Sequence, residues 1–185
     1  MRVTPALQPL VDSLASHFGV IDGRPIRVCF RPALTASRGK LLSNARRGRP
    51  VHAASFIQKR EIILESELRG TPQEMARIFI HELFHFAWVR LGNPTRASYE
   101  KLIRAEMKAH AQGELGWSAE QIKSGLEHAG QGRPWRVYLC ESFCDTAAFL
   151  YAGCHQHEEF TLAPKWRRKR AAWFHESFAG HVLSI

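Results

Sequence analysis

Between Ile78 and Val89 the chain runs through Ile, Phe, Leu, Ala, Trp and Val with three ionisable side chains among them, His81, Glu82 and His85. A helix that is apolar on every side is a buried helix, so whatever this chain folds into must wrap around that segment. Its start is marked by Thr71 as N-cap, Pro72 at the first helical position and Glu74 completing a T-x-x-E capping box. Gly92 and Pro94 stop it after Leu91. Burying a glutamate beside two histidines is unfavourable unless something compensates, either a divalent cation or a closed hydrogen-bond network. At 3.6 residues per turn His81 and His85 share one face and can reach the same ion. Glu82, about 100° further round, leans over the open side of such an ion, where a general base is needed.

A catalytic zinc ion takes three protein ligands and keeps one position open. The metzincin pattern would place a third His six residues beyond His85, but that position is Leu91, and Trp88 stands where a Gly is required. A later segment offers a better third ligand. From Val137 to Cys154 the charged residues are Glu141 and Asp145, spaced i and i+4 on one face of an otherwise apolar helix. Two like charges so placed repel unless each has its own partner. A metal for one and a ligand imidazole for the other would satisfy both; a polar stripe touching solvent is the alternative. Glu100, Glu106 and Glu127 sit among charged neighbours and are expected in solvent.

His-Glu-x-x-His on one helix with Glu-x-x-x-Asp on a later one resembles the gluzincin metallopeptidases, and among them the small minigluzincin and ImmA/IrrE-type proteins. The matching stretches are 61–91 and 137–152, about a quarter of the chain. The resemblance implies that His81, His85 and Glu141 hold one zinc ion and that Glu82 is the catalytic base. It further implies that Asp145 accepts a hydrogen bond from a ligand histidine, His81 first. It implies a polypeptide substrate laid along an edge strand ahead of the active helix, for which Val51 to Ile57 is the candidate; an ordinary sheet-core strand is the alternative there. The chain departs from the thermolysin pattern in the long gap between His85 and Glu141 and in Cys140, which stands where an Asn often precedes the third ligand. Tyr138, Tyr151, His155 and His157 are candidates for steadying an oxyanion.

The remaining pattern predicts a single domain over 1–185 of α+β class, zincin-like, with a small N-terminal sheet and a helical remainder around the His-Glu-x-x-His helix. Thr4-Pro5 with Leu7, Leu10, Val11, Leu14 and Phe18 reads as a capped helix ended by Gly19. Strands are expected at 25–30, 51–58 and 60–65, with a basic loop over 35–50. Further helices are expected at 97–112, 118–129, 136–152 and 164–178.

Charge is distributed unevenly. Ten Lys and Arg fall between Arg24 and Arg60 with no acidic residue, leaving 16 against 17 acidic residues elsewhere in a chain of net charge +9. Such a field favours an anionic partner, nucleic acid or an acidic protein; a solvated basic face is the alternative. No run is long and apolar enough to span a membrane and no export signal is visible, so a cytoplasmic protein with Cys29, Cys140, Cys144 and Cys154 as thiols is expected. Cys140, Cys144, Cys154, His155 and His157 form a rival metal set, but C-x3-C-x9-C-H-x-H does not match zinc-knuckle spacing, which favours buried thiols. In the run from Lys165 to Arg170, Trp166 alternates with cations; the outer face of a closing helix is the favoured reading. Two functions are carried forward: a zinc-dependent metallopeptidase, and a zinc-stabilised nucleic-acid-associated protein with weak or selective peptidase activity.

Overall fold

The computed structural model describes residues 5–45, 47–126, 132–178 and 182–185, so Thr4, Arg46 and Glu127 lie outside the described residues. The architecture is α+β. A 3-10 turn at Pro5–Leu7 leads into α1 (Gln8–Phe18), which ends at Gly19 with φ of 69°. Then come β1 (Ile21–Asp22), β2 (Arg27–Arg31), β3 (Leu34–Ser37), β4 (Lys40–Ser43), β5 (Arg49–Pro50), β6 (Ala53–Phe56) and β7 (Glu61–Glu65). A second 3-10 turn, Ser66–Gly70, feeds α2 (Pro72–Arg90). The rest is helical: α3 (Asn93–Lys108), α4 (Trp117–Ser124), α5 (Gly132–Tyr151) and α6 (Pro164–Phe178), closed by β8 (Leu183–Ser184).

The main sheet has the order β2-β7-β6, with β7 parallel to β2 and antiparallel to β6. β7 is central, and its Ile62 and Leu64 are fully buried. β6 is therefore an edge strand and not a sheet-core strand. The expected loop over 35–50 is corrected in most of its described residues: β3, β4 and β5 form a small antiparallel sheet of their own, in the order β4-β3-β5. The β3–β4 hairpin turns on Arg38 and Gly39, both at positive φ (48° and 73°), the hand that matches strand twist. Its side chains are half-buried or exposed along most of its length, so no strong hydrophobic alternation announces it. β1 pairs with β8 in parallel, joining residues 21–22 to 183–184.

α2 lies along α5, and this pair forms the spine of the molecule; α4 packs on α5, and α3 and α6 on each other. Phe84 of α2, Phe143 of α5, Phe174 of α6 and Tyr99 of α3 are fully buried in one aromatic cluster, with Phe143 and Phe174 stacked at 4.9 Å. Truncating one such ring would cost about 3–5 kcal/mol. α3 begins earlier than the pattern predicts, because Pro94 sits in its first turn instead of only ending α2. α5 likewise begins at Gly132.

The helical half also holds a buried ion-pair cluster. Arg170 is fully buried between Glu106 (2.6 Å) and Glu114 (2.8 Å), and Lys123 meets Glu114 at 3.0 Å. Glu106 is thus not in solvent, since its partner arrives from a helix 64 residues later. Within the basic run of α6, Arg170 and Trp166 face inward while Lys165, Arg168 and Lys169 stay exposed. Among the described residues no helix is long and apolar enough to cross a membrane.

Candidate metal centre

α2 and α5 bring the predicted residues together. Nε2 of His81 lies 3.2 Å from Oε2 of Glu141, and Nε2 of His85 lies 3.8 Å from Oε1 of the same carboxylate. The ligand atoms of these three residues all fall within 4.8 Å of one another. Ligands held at 2.0–2.2 Å in a tetrahedral site stand roughly 3.4 Å apart, so the donor set fits one small divalent ion. His81 and His85 share a face of α2 as the i, i+4 spacing requires, their ring centroids 5.0 Å apart.

Behind His81 stands Asp145, one turn along α5 from Glu141. Its Oδ1 is 2.7 Å from Nδ1 of His81, and its Oδ2 accepts from the Ala119 amide at 3.1 Å. Asp145 is buried, which makes this carboxylate the orienting partner expected for a ligand imidazole. Burial opposes a charge on His81, but the Asp145 carboxylate and then Glu141 outweigh it and raise its pKa well above 6.5. For Glu141 burial pushes upward, and His81 followed by His85 brings its pKa below the ordinary carboxylate value.

His85 has a different partner. Its Nδ1 is 3.3 Å from Sγ of Cys140, so a thiol occupies the place a carboxylate holds behind His81. The Cys140 pKa is lowered to about 6 by a hydrogen bond with Cys144 and by His85, against the effect of burial. Of the five residues in the rival set, only Cys140 and Cys144 join a potential ligand group among the described residues. Cys154 donates to the Gln156 carbonyl, and His157 pairs with Glu74 at 3.2 Å. All four cysteines are free.

The three candidate ligands and Glu82 line a cleft of about 530 Å³. One wall is the segment from Arg49 through Ser55, which includes the first three residues of β6. The other is formed by Arg77, Trp117, Ser118 and Glu159. Of the described residues in 92–136, Trp117 and Ser118 reach this cleft. Trp117 is 45% exposed and carries the Arg49 guanidinium 4.9 Å above its ring, so the two walls touch at the rim. Arg77 is held by Glu74 (2.5 Å) and Glu159 (2.8 Å), and Glu159 also accepts from the Trp117 amide. That arrangement explains why the capping box does not form: Thr71 makes no side-chain cap bond, and Glu74 is engaged by Arg77 and His157.

None of the four oxyanion candidates lines the cleft. Tyr138 is fully buried and donates to Glu114, Tyr151 stacks on Phe84, His155 borders a separate shallow pocket, and His157 is tied to Glu74. The exposed imidazole that does line it is His52, whose Nδ1 lies 2.8 Å from Oε2 of Glu65. Gly116 was likewise without a sequence signal. A Cβ there would lie 2.5 Å or less from Cγ, Oδ1 and Oδ2 of Asp145, so only glycine lets the chain pass over that carboxylate. Comparison with family models, with curated proteins and with solved structures gives no match to this chain.

Proposed function

We propose that the chain is a zinc-dependent metallopeptidase of gluzincin type on a zincin-like fold. The observation that carries this reading is the convergence of His81, His85 and Glu141 on one point of a cleft whose wall is a free strand edge. A zinc ion held by these three residues would supply a Lewis acid that activates water near neutral pH and polarises a carbonyl. Glu82, one residue from His81 and facing the same cleft, takes the water proton and later delivers it to the leaving amine. Asp145 fixes His81 with Nδ1 as donor, leaving Nε2 for the metal.

β6 supports a polypeptide substrate. The Glu65 amide donates to the His52 carbonyl at 2.7 Å, which sets the antiparallel alternation. Ala54 then belongs to a bonded pair with Ile63, while the backbone groups of Ala53 and Ser55 point away from β7 along the cleft-lining edge. An extended chain can add there as a further strand, and the small side chains of Ala53, Ala54 and Ser55 leave it room.

The test is Glu82→Gln, assayed for metal content and for cleavage of an unfolded protein. We expect a full metal complement with hydrolysis lost by at least about a hundredfold; cleavage at the wild-type rate would remove Glu82 from the mechanism. A second reading, binding of nucleic acid, is favoured by one observation. Arg24, Arg31, Arg38, Lys40, Arg47, Arg49 and Lys59 are exposed, and among the described ion pairs none of them meets a carboxylate. Retention on DNA that falls steeply with salt supports it; elution at low salt, independent of sequence and length, contradicts it.

A further inference from the structure

Cys140 and Cys144 immediately precede Glu141 and Asp145, so α5 turns two thiols toward α2 one residue before each carboxylate. Cys144 is fully buried and Cys140 half-buried. The His85 ring lies between them and the candidate centre. Its Nε2 faces Glu141 at 3.8 Å and its Nδ1 faces Cys140 at 3.3 Å. The ligand atoms of His85, Cys140 and Cys144 all lie within 4.8 Å of one another. Sulfur and nitrogen ligands of one tetrahedral ion stand about 3.6 Å apart, so little movement is needed to close this set on a metal.

We propose that His85 Nδ1, Cys140 Sγ and Cys144 Sγ form a second metal site, on the opposite side of the His85 ring, for a thiophilic ion of the cadmium class. Two thiolates and one imidazole are a soft donor set, whereas the His81, His85 and Glu141 set is two imidazoles and a carboxylate. A soft ion added in limiting amount therefore goes to the sulfur side. Its binding releases two protons to solvent, one from Cys144 and the one that Cys140 Sγ and His85 Nδ1 share, and leaves a neutral His85 with its remaining proton on Nε2. A neutral imidazole has one lone pair to give, so an ion behind His85 withdraws this residue from the front set. By linkage the front ion opposes the rear one to the same degree. The site is independent of the catalytic reading, because it needs neither Glu82 nor a substrate.

The experiment uses the reduced, metal-free full chain labelled with ¹⁵N at histidine, given one equivalent of ¹¹³Cd(II). The expected result is thiolate-to-cadmium charge-transfer absorption, cadmium coupling at His85 Nδ1, and a proton on His85 Nε2. Cys140→Ser, at the half-buried position, should weaken cadmium binding at this site at least tenfold and abolish the His85 Nδ1 coupling. Cys140→Ser/Cys144→Ser, with its fold checked by circular dichroism, should lose the absorption as well. Cadmium coupled to Nε2 with no thiolate absorption in the wild type would overturn the proposal. So would undiminished absorption in the double variant, which would assign the band to Cys29 or Cys154.

Discussion

Gly116→Ala is expected to weaken zinc binding by about 10- to 100-fold without altering any ligand. Gly116 has φ of −179°, extended backbone that alanine adopts freely, so the substitution acts only through space. The new methyl group would lie 2.5 Å or less from all three carboxyl atoms of Asp145. Non-bonded heavy atoms rest about 3.5 Å or more apart, so the carboxylate must retreat by about 1 Å. It then cannot keep both the 2.7 Å contact to His81 and the 3.1 Å contact to the Ala119 amide. Losing a buried charge-assisted hydrogen bond costs about 1.5–3 kcal/mol. Losing the orienting partner of a ligand histidine costs 10- to 100-fold in affinity, roughly 1.4–2.7 kcal/mol, so the two routes agree. The assay is zinc competition against a chromophoric chelator for the wild type, Gly116→Ala, Asp145→Asn and the double variant. The double should be far from additive, because both changes break the same contact. Gly70→Ala, whose Cβ would meet nothing within 4 Å, serves as the control and should bind zinc normally. Wild-type affinity in Gly116→Ala, or additivity with Asp145→Asn, would refute this account of the centre.

The raised pKa of His81 means that the metal-free centre holds its proton to a higher pH than a free imidazole does, and an entering metal must displace that proton. Apparent zinc affinity should therefore climb with pH by up to about tenfold per unit until that pKa is passed, and chelator competition at about pH 6 and 8 that shows no difference would contradict it. The metal-free fold should show the reverse trend. Stability from the charged His81 is fully present below its unfolded pKa near 6.5 and lost as pH rises through the higher folded value, which thermal melts at a series of pH values would detect. Arg170→Met should destabilise the fold by about 3–5 kcal/mol at neutral pH, because Glu106 would be left buried without its cation and Glu114 with Lys123 alone. An unchanged denaturation midpoint would mean that the cluster is not closed by that arginine.

Features carried by local pattern were legible in the sequence. α6 runs from Pro164 to Phe178 as predicted, because Pro164 sets its first turn and aromatic residues recur on its inner face. That one of Glu141 and Asp145 meets an imidazole of α2 follows from two i, i+4 spacings on apolar helices, each of which needs a partner from the other; that the pair is Asp145 with His81 is implied by the family resemblance alone. Features made by distant residues were not legible. Glu106 looks solvated beside Lys101, Arg104 and Lys108 until Arg170 closes on it from α6. The capping box at Thr71 fails because Arg77 and His157 compete for Glu74, and one of these comes from a loop after α5. The β4-β3-β5 sheet rests on backbone pairing around an Arg-Gly turn and buries too little to alternate. Gly116 carries no mark of its own, since the need for glycine is created by Asp145 folding over it.

The most direct test is metal content per chain, measured by elemental analysis on the wild type and Glu141→Ala purified side by side. The account predicts about one zinc in the wild type and a clear loss in the variant, since three protein ligands are what a site with one open position requires. Equal zinc in both would take Glu141 out of the centre and with it the use made of the α2–α5 pairing. A folded wild type that binds none when zinc is offered would contradict the metallopeptidase proposal itself.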